Sequence, residues 1–397
     1  MKAFLVKLSC YLFCLTSILD PTNSILRLKL PIFVIFVFSL IVNDKPQIKY
    51  VGYYVFIFFV LIVSLASGIV SDADIDFQLT IQFFVFFLLF VCLLWDSYID
   101  LFKPLVLSSL FVSIITIIGF VVMLGFPNIE GALFVFSTAH DFTFLMARRN
   151  FLGIEVVSFF YKSIPIVIIP ASYYLNEIIN YNKRTIKNLL FVSIFLFALF
   201  CAGNRAMIGV VFLIIFFISY GKISKWPLFK PLLIFILFVA VYVGILSITE
   251  KGEESNDIKF GHIQSYIEYF SDKWYLLLFG SGAGSLFYSK GFQEMTGVTE
   301  WTYLEMIRLY GLFGTIMILM FFTYPLRNYY RKLETIYAWK AFALGYIFYF
   351  LVSASNPYLM GSTGFLCILF MFSITSNPKF RISDNLIEDN TKVVENI

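Results

Sequence analysis

Charged residues are scarce in this sequence of 397 residues. Asp, Glu, Lys and Arg make up 14% of the chain, whereas a typical soluble domain contains about 25%. Hydrophobic residues make up 60%. Apolar runs long enough to cross about 30 Å of hydrocarbon recur as far as Phe372, so a cleaved signal peptide does not account for them. The composition excludes an ordinary soluble domain and predicts an integral membrane protein.

Residue types that bind metals are also scarce. The chain has only two histidines, and its five cysteines all lie in apolar runs, where they are typical of small buried side chains. Asp72, Asp74 and Asp76 alternate, and their oxygens suit a divalent cation. No histidine or asparagine accompanies them, so a solvated acidic turn is the favoured interpretation. We therefore expect no metal at these aspartates.

Hydropathy predicts an all-α, polytopic helix bundle of about twelve transmembrane helices. We expect one membrane domain over residues 1–397, with a large periplasmic loop at 249–302 and a cytoplasmic tail at 377–397. The predicted spans are residues 3–19, 30–43, 50–70, 79–95, 104–125, 153–174, 187–203, 206–220, 231–248, 303–325, 338–355 and 360–376.

The basic residues set the expected orientation. Most of them fall in short inner loops when both termini are placed in the cytoplasm, as the positive-inside rule requires. The outer side then carries the acidic loop Ser71–Phe77, the Asn128–Asn150 loop and residues 249–302. The sequence therefore predicts an even number of spans and a functional surface on the outer side.

Three arginines lie at this outer face. Arg205 opens a span in "CAGNRAMIG", and Arg148 and Arg149 lie in "MARRNFLG". A guanidinium matches phosphate oxygens in fork geometry, so each arginine is a candidate for binding a phosphate-bearing ligand. The alternative is an interfacial arginine whose side chain reaches lipid headgroups.

Glu155 and Lys162 lie two helical turns apart in "FLGIEVVSFFYK". Two interpretations remain open. Either this stretch begins the sixth span and buries Lys162, or it is an interfacial helix and the span starts near Ser163. A lysine in the middle of the membrane would favour a transporter.

The long outer loop carries two further candidates. His262 either packs and caps, or serves as a proton carrier or phosphate donor. Gly282 lies within "GSGAGS", which lacks the Lys-Ser/Thr pair of a P-loop. Its glycines predict either a backbone nest for an anion or a tight turn.

The stretch "TEWTYLEMIRLYGLFG" (Thr299–Gly314) starts a span with two carboxylates and an arginine. Thr302 and Glu305 have the spacing of a capping box, whose loss would cost up to about 1 kcal/mol. Glu305 and Arg308 are three residues apart and can pair on one helix face. Glu300 lies outside the helix and has no comparable structural role.

Four stretches together resemble the superfamily of O-antigen polymerases and O-antigen ligases, which are bacterial inner-membrane enzymes. Besides the Thr299–Gly314 stretch, they are "GNRAMIG", "LLFGSGAGSLFYS" and "SASNPYLMGSTGF", the last of which contains Asn356-Pro357. Ligases of this superfamily carry a histidine-asparagine pair where this chain has Glu300-Trp301. A glutamate at this position is similar to the polymerase branch.

The resemblance implies a polymerase that joins oligosaccharide repeat units on undecaprenyl diphosphate, without metal or cofactor. The growing chain is transferred to a hydroxyl of the incoming unit at the periplasmic face of the inner membrane. Expected partners are the lipid-linked oligosaccharide, the bilayer and a chain-length regulator, with no nucleic acid. An O-antigen ligase, a secondary transporter and a lipid-linked oligosaccharide flippase are the alternatives.

The resemblance also assigns roles to the candidates. Glu300 would orient or deprotonate the acceptor hydroxyl, while Arg205 would stabilise the departing diphosphate and His262 would assist the transfer. The remaining candidates would bind the diphosphate or the glycan; they are Arg148, Arg149, Arg308, Gly282 and Asn356.

Overall fold

The computed structural model describes residues 2–43, 45–47, 51–151, 154–223, 254–329 and 338–377, with a few isolated residues between 231 and 238. This part of the chain is mostly helical, as the composition predicts. The helices of the first third are α1 (Lys2–Leu19), α2 (Lys29–Asn43), α3 (Val51–Val70), α4 (Phe77–Leu88), α5 (Phe102–Gly125) and α6 (Glu130–Ala139). A 3-10 helix, Leu89–Tyr98, continues α4.

A β-hairpin of β1 (Phe144–Phe151) and β2 (Ile154–Tyr161) follows, and then a 3-10 turn, Ile164–Val167. The next helices are α7 (Ile168–Ile179), α8 (Ile186–Cys201), α9 (Arg205–Ile223), α10 (Glu254–Asp272) and α11 (Leu276–Phe279). A short hairpin pairs β3 (Phe287–Ser289) with β4 (Glu294–Thr296). The last helices are α12 (Thr302–Phe322), α13 (Tyr324–Tyr329), α14 (Trp339–Ser353) and α15 (Ser362–Ser376).

Four of the described helices are long and apolar enough to cross a membrane, namely Val51–Val70, Phe77–Asp96, Phe102–Gly125 and Thr302–Phe322. The other apolar helical stretches, such as Phe4–Leu19 within α1 and Arg205–Tyr220 within α9, are 10–17 residues long. Every predicted span overlaps one of these helices except residues 231–248, of which the structure describes only a few isolated positions. The membrane-type helical fold is confirmed at this level, and the total of about twelve crossings stays a prediction.

The hairpin corrects the prediction of a helix around Glu155. β1 and β2 pair antiparallel, with Phe144 opposite Tyr161 at the open end and Asn150 opposite Glu155 near the turn. The β-branched and aromatic side chains of this segment suit a pleated strand better than a helix. Glu155 and Lys162 therefore do not share a helix face.

Lys162 follows the last residue of β2, and its ammonium group donates to the Asp141 carbonyl at 2.7 Å. Burial lowers the pKa of Lys162, and the nearby Asp141 carboxylate opposes that shift. The helical segment begins after it, at the Ile164–Val167 turn, as the alternative with a start near Ser163 predicts. Lys162 thus lies beside a loop and outside the described helices, and its depth in a membrane stays a prediction.

One end of the bundle, here called the hairpin end, gathers the segments that the sequence places on the outer side. The Phe160 ring of β2 stacks on Tyr358, with centroids 5.7 Å apart. The Lys273 ammonium group donates to the Ser71 carbonyl at 2.6 Å. The hairpin end comprises residues 20–29, 71–77, 140–151, 154–162, 203–205, 273–302 and 354–362.

The opposite end gathers segments that the sequence places inside. The Asn377 side chain donates to the Ile99 carbonyl at 3.2 Å, and the Ser376 hydroxyl donates to the Asp96 carboxylate. The backbone N–H of Gln47 donates to the Leu94 carbonyl at 2.7 Å. Three segments that are predicted to be inner, around Gln47, Ile99 and Asn377, thus lie together at the end opposite the hairpin, and the side of the membrane that each end faces stays a prediction.

Between the two ends, aromatic side chains fill much of the core. The Phe90 ring meets Phe321 and Phe322 at centroid distances of 5.7 Å and Phe365 at 4.9 Å. These contacts join the 3-10 helix after α4 to α12 and α15. Edge-on and tilted aromatic packing of this kind fixes helices that share no polar contacts.

Candidate functional site

Helix α12 is broken at Gly311, whose φ and ψ are 69° and 171°. The break takes normal helical partners away from the carbonyls of Arg308 and Leu309. The Arg308 carbonyl instead accepts the N–H of Ser281 at 2.8 Å, and the Leu309 carbonyl accepts the N–H of Gly282 at 3.1 Å. Irregular backbone inside an apolar bundle is stable only when its polar groups are paired in this way. The "GSGAGS" loop is therefore built into α12.

This packing bears on the predicted anion nest at Gly282, because a nest needs backbone N–H groups that are free to bind an anion. The Gly282 N–H donates to the protein, and a Cβ at this position would lie 3.2 Å from the Leu65 Cα and the Ser64 carbonyl oxygen. Its φ is 94°, a conformation that favours glycine. The loop has the geometry of a tight turn wedged against α3, and the Gly282 N–H is committed to α12.

Arg308 is completely buried and forms the predicted pair with Glu305. Its Nε and Nη2 donate to the two Glu305 oxygens at 3.1 and 2.5 Å. Nη2 also donates to the Gly297 carbonyl at 3.1 Å, and Nη1 donates to the carbonyl and hydroxyl of Ser285, both at 2.7 Å. A guanidinium has five N–H groups, so every donor of Arg308 is used within the protein. None is left for a diphosphate or glycan.

The predicted capping box is wrong. The Thr302 hydroxyl donates to the Asn356 carbonyl at 2.7 Å, and no side chain among the described residues caps α12. The Glu305 carboxylate accepts from the Tyr266 hydroxyl at 2.6 Å as well as from Arg308. Contacts with distant parts of the chain have taken both side chains away from the helix terminus.

Glu300 lies two residues before α12, with 31% of its side chain exposed. Its carboxylate is 3.6 Å from the Lys259 ammonium group, and the Trp301 indole donates to the Lys259 carbonyl at 3.1 Å. The Thr302–Asn356 hydrogen bond places the Asn356 turn beside the same segment. The structure thus packs the Asn356 turn against the first residue of α12, two residues after Glu300, and leaves the Glu300 carboxylate accessible.

His262 lies on α10, one helical turn after Lys259, and is completely buried. Its Nδ1 is 2.7 Å from the Ser289 hydroxyl, which accepts the N–H of Phe292. Among the described residues, its Nε2 has no hydrogen-bond partner. Burial lowers the pKa of His262; the Glu305 carboxylate raises it, and Lys259 lowers it further. His262 is therefore a buried residue that anchors α10 to β3 and does not face a ligand in this conformation.

Arg205 is the first residue of α9 and is partly buried. The Asn204 side chain accepts the N–H of Ala206 at 2.9 Å and so caps the helix. Gly203, with φ of 62°, packs so closely on the hairpin that a Cβ there would lie 2.2 Å from the Ser158 Cβ. This close approach fixes the start of α9, and Arg205 with it, against β2.

The other two arginines lie in β1. The Arg148 Nε forms an ion pair with Glu130 at 3.0 Å, and its Nη2 donates to the Met123 carbonyl at 3.3 Å. Arg149 lies opposite Val156 in the hairpin register. Both arginines therefore lie on β1, and β1 pairs with β2, the strand that contacts Gly203.

The candidate site comprises Glu300, Asn356, Arg205 and the arginines of β1. The Phe160–Tyr358 stack joins its two halves, since Phe160 follows the Gly203 contact along β2 and Tyr358 follows Asn356. Lys259 is a site residue that sequence reasoning missed. Lys259 precedes His262 by one helical turn on a helical segment of the outer loop, and this spacing is the sequence signal that could have identified it.

The acidic turn before α4 has a structural role at Asp76. The Asp76 carboxylate accepts the N–H groups of Gln78 at 2.7 Å and Leu79 at 3.1 Å, which caps α4. Within the described ranges, no three His, Cys, Asp or Glu side chains are grouped to hold a metal ion.

No protein-family model, curated protein or solved structure matches this chain.

Proposed function

We propose that the protein is an O-antigen polymerase, which joins oligosaccharide repeat units carried on undecaprenyl diphosphate. The observation that supports the proposal is that an accessible carboxylate, Glu300, the Asn356 turn and the arginines of α9 and β1 all lie at the hairpin end. Glycosyl transfer from a lipid diphosphate needs a group that accepts a proton and cations that stabilise the leaving group.

The reaction forms one glycosidic bond and breaks one sugar–phosphate bond. A hydroxyl oxygen of the incoming unit attacks the anomeric carbon of the growing chain, and undecaprenyl diphosphate leaves with the bonding electron pair. The hydroxyl proton passes to Glu300, and Arg205 stabilises the charge that develops on the diphosphate. Arg148 and Arg149 extend this basic surface along β1, and the Asn356 side chain faces the glycan.

Lys259 and His262 support Glu300 in this proposal. The ion pair with Lys259 orients the carboxylate, and α10 holds Lys259 in place. His262 anchors α10 through Ser289 and so acts as a positioning residue, in place of the direct role that the sequence predicts. Arg308 and Gly282 belong to the framework beneath the site.

The proposal extends to membrane placement. The hairpin end faces the periplasm and both termini lie in the cytoplasm, within one polytopic domain of the inner membrane. Residues 249–302 form the large periplasmic loop, of which residues 254–302 are described. The proposed cytoplasmic tail at 377–397 lies outside the described residues except for Asn377. The partners are the lipid-linked oligosaccharide, the bilayer and a chain-length regulator.

A secondary transporter is the second candidate, because α12 is discontinuous at Gly311 and carries a buried ion pair, features of transporter binding sites. In this protein, however, the carbonyls freed by the break accept the N–H groups of Ser281 and Gly282. These carbonyls are thus engaged by the loop, and the Arg308 donors are engaged by Glu305, Ser285 and Gly297.

The test is a surface-polysaccharide gel from a strain that lacks the gene. The proposal predicts lipid A–core bearing a single repeat unit, with the ladder restored by the wild-type protein at matched levels. Lipid A–core without any repeat unit would point to a ligase or flippase instead. An unchanged ladder would contradict the proposal and favour the transporter.

A further inference from the structure

The opposite end of the bundle contains an open cleft of about 390 Å³. It lies between the N-terminal part of α1, the end of α2, the 3-10 helix and the start of α5. Its polar walls include Lys7, Lys103, Asp100, Tyr98 and Asn43. The cleft shares no residue with the candidate site and lies far from it along every helix that lines it.

The charge of the cleft suits a monoanion. Two lysines and one aspartate line it, which gives a net formal charge of +1. Lys7 and Lys103 are both exposed, so their ammonium groups are accessible to a ligand. An ammonium group binds a phosphate as a compact point charge. A phosphodiester carries one negative charge and therefore complements this lining.

The surface beyond the cleft indicates that the phosphate belongs to a lipid. Leu107 and Phe111 follow Lys103 by four and eight residues on α5, so the three side chains lie on one helix face. Leu107 is 41% exposed and Phe111 is 45% exposed. A cation at the mouth and apolar side chains deeper along the same face match a molecule with a charged head and a hydrocarbon chain. A free phosphate would use only the mouth.

Tyr98 strengthens this assignment. It is 42% exposed at the same mouth, and tyrosines concentrate at the level of lipid headgroups, where ring and hydroxyl meet different surroundings. Asn43 adds an amide donor and acceptor at the end of α2. The mouth thus combines the cations, aromatic ring and amide that a headgroup contacts.

We propose that this cleft binds an anionic glycerophospholipid, with its phosphate between Lys7 and Lys103 and an acyl chain along Leu107 and Phe111. The proposal is independent of the reaction at the hairpin end. It requires only that the helices lie in a bilayer with this cleft at headgroup level.

Native mass spectrometry of the purified, detergent-solubilised protein tests the proposal, with phosphatidylglycerol and phosphatidylcholine as probes. The test variant is Lys7→Gln/Lys103→Gln. Its matched control is Lys187→Gln/Lys340→Gln, which removes two exposed lysines outside the cleft. Each cleft lysine is expected to contribute roughly fivefold to phosphatidylglycerol affinity, so the double test variant should bind roughly 25-fold more weakly.

The expected result is a preference for phosphatidylglycerol that the control retains and the test variant loses. Lys7→Arg/Lys103→Arg keeps both charges and should retain the preference, which separates loss of charge from loss of fold. Equal binding of phosphatidylglycerol by the test and control variants would overturn the proposal. Equal binding of both lipids by the wild type, or displacement by millimolar inorganic phosphate, would also overturn it.

Discussion

Glu305 and Arg308 lie one helical turn apart and form a two-point ion pair, with Nη2–Oε1 and Nε–Oε2 distances of 2.5 and 3.1 Å. The same carboxylate accepts the Tyr266 hydroxyl of α10, and Arg308 also binds the carbonyl of Gly297. The pair thus joins α12 to α10 and to the loop that leads to Glu300. It is the framework that holds the candidate site.

Glu305→Gln is expected to destabilise the protein by about 3–5 kcal/mol, because it leaves a buried guanidinium without its counter-ion. This cost exceeds the loss expected from a capping box. Thermal unfolding in detergent, followed by tryptophan fluorescence, measures it. Glu294→Gln is the matched control, since Glu294 is an exposed residue of β4. Equal melting temperatures for the two variants would show that the ion pair contributes little.

Gly311→Ala should prevent the loop from docking into α12. A Cβ at Gly311 would lie 2.2 Å from the Leu278 carbonyl oxygen, and the φ of 69° is unfavourable for alanine. The backbone conformation alone costs about 1–3 kcal/mol, to which the clash adds. The yield of monodisperse protein on size exclusion measures the effect.

Gly209→Ala on α9 is the control for that experiment. A Cβ at Gly209 meets no atom within 4 Å, and alanine is favoured over glycine inside a helix by about 1 kcal/mol. This variant should express at least as well as the wild type. Normal behaviour of Gly311→Ala would contradict the described break in α12.

His262 should make stability depend on pH. Burial lowers its pKa, with Glu305 opposing and Lys259 adding to the shift, so the folded state binds a proton less readily than the unfolded chain. The contribution of His262 to the free energy of unfolding is therefore fully present above the unfolded pKa of about 6.5, and it is lost as the pH falls below that value. Unfolding temperatures measured from pH 8 to pH 5 should show this decline.

Replacing His262 with Gln should flatten that part of the pH profile. An unchanged profile in His262→Gln would place its source in a group other than His262.

Arg205→Ala should lower the rate of polymerisation by about 10²–10³-fold, the effect of removing one group that stabilises transition-state charge. Arg205→Lys keeps the charge but loses the fork geometry, so it should recover only part of the rate. The rate of ladder formation in membranes at matched protein levels measures both. Arg184→Ala, at an exposed residue before α8, is the control and should behave as wild type.

Much of the helical layout is predictable from sequence, because long apolar runs leave the backbone few alternatives in a bundle. The predicted span 104–125 corresponds to α5, Phe102–Gly125, and the predicted 187–203 to α8, Ile186–Cys201. The start of a helical segment after Ser163 was also predictable, since Pro165 suits a first turn.

The hairpin at 144–161 was missed for a physical reason. In a sequence this apolar, a continuous apolar run gives no period by which a strand is distinguished from a helix. The β-branched and aromatic residues of "IEVVSFFY" were the available signal.

The local chemistry at the start of α12 was less predictable still. The spacing of Thr302 and Glu305 is correct for a capping box, but Asn356 and Tyr266 bind these side chains from more than thirty residues away. Such long-range partners are not visible in local sequence. The proximity of Lys259 to Glu300 depends in the same way on how α10 packs.

The most direct test of the proposed function is reconstitution of the purified protein in liposomes with undecaprenyl-diphosphate-linked repeat units and no other protein. The proposal predicts glycan chains of more than one unit from wild type and from Glu294→Gln. Glu300→Gln should reduce chain formation by about 10²–10⁴-fold, the usual contribution of a general base. Undiminished chain formation by Glu300→Gln would remove Glu300 from the site. If a folded wild-type protein left all repeat units unjoined, the proposal that the protein is a polymerase would be contradicted.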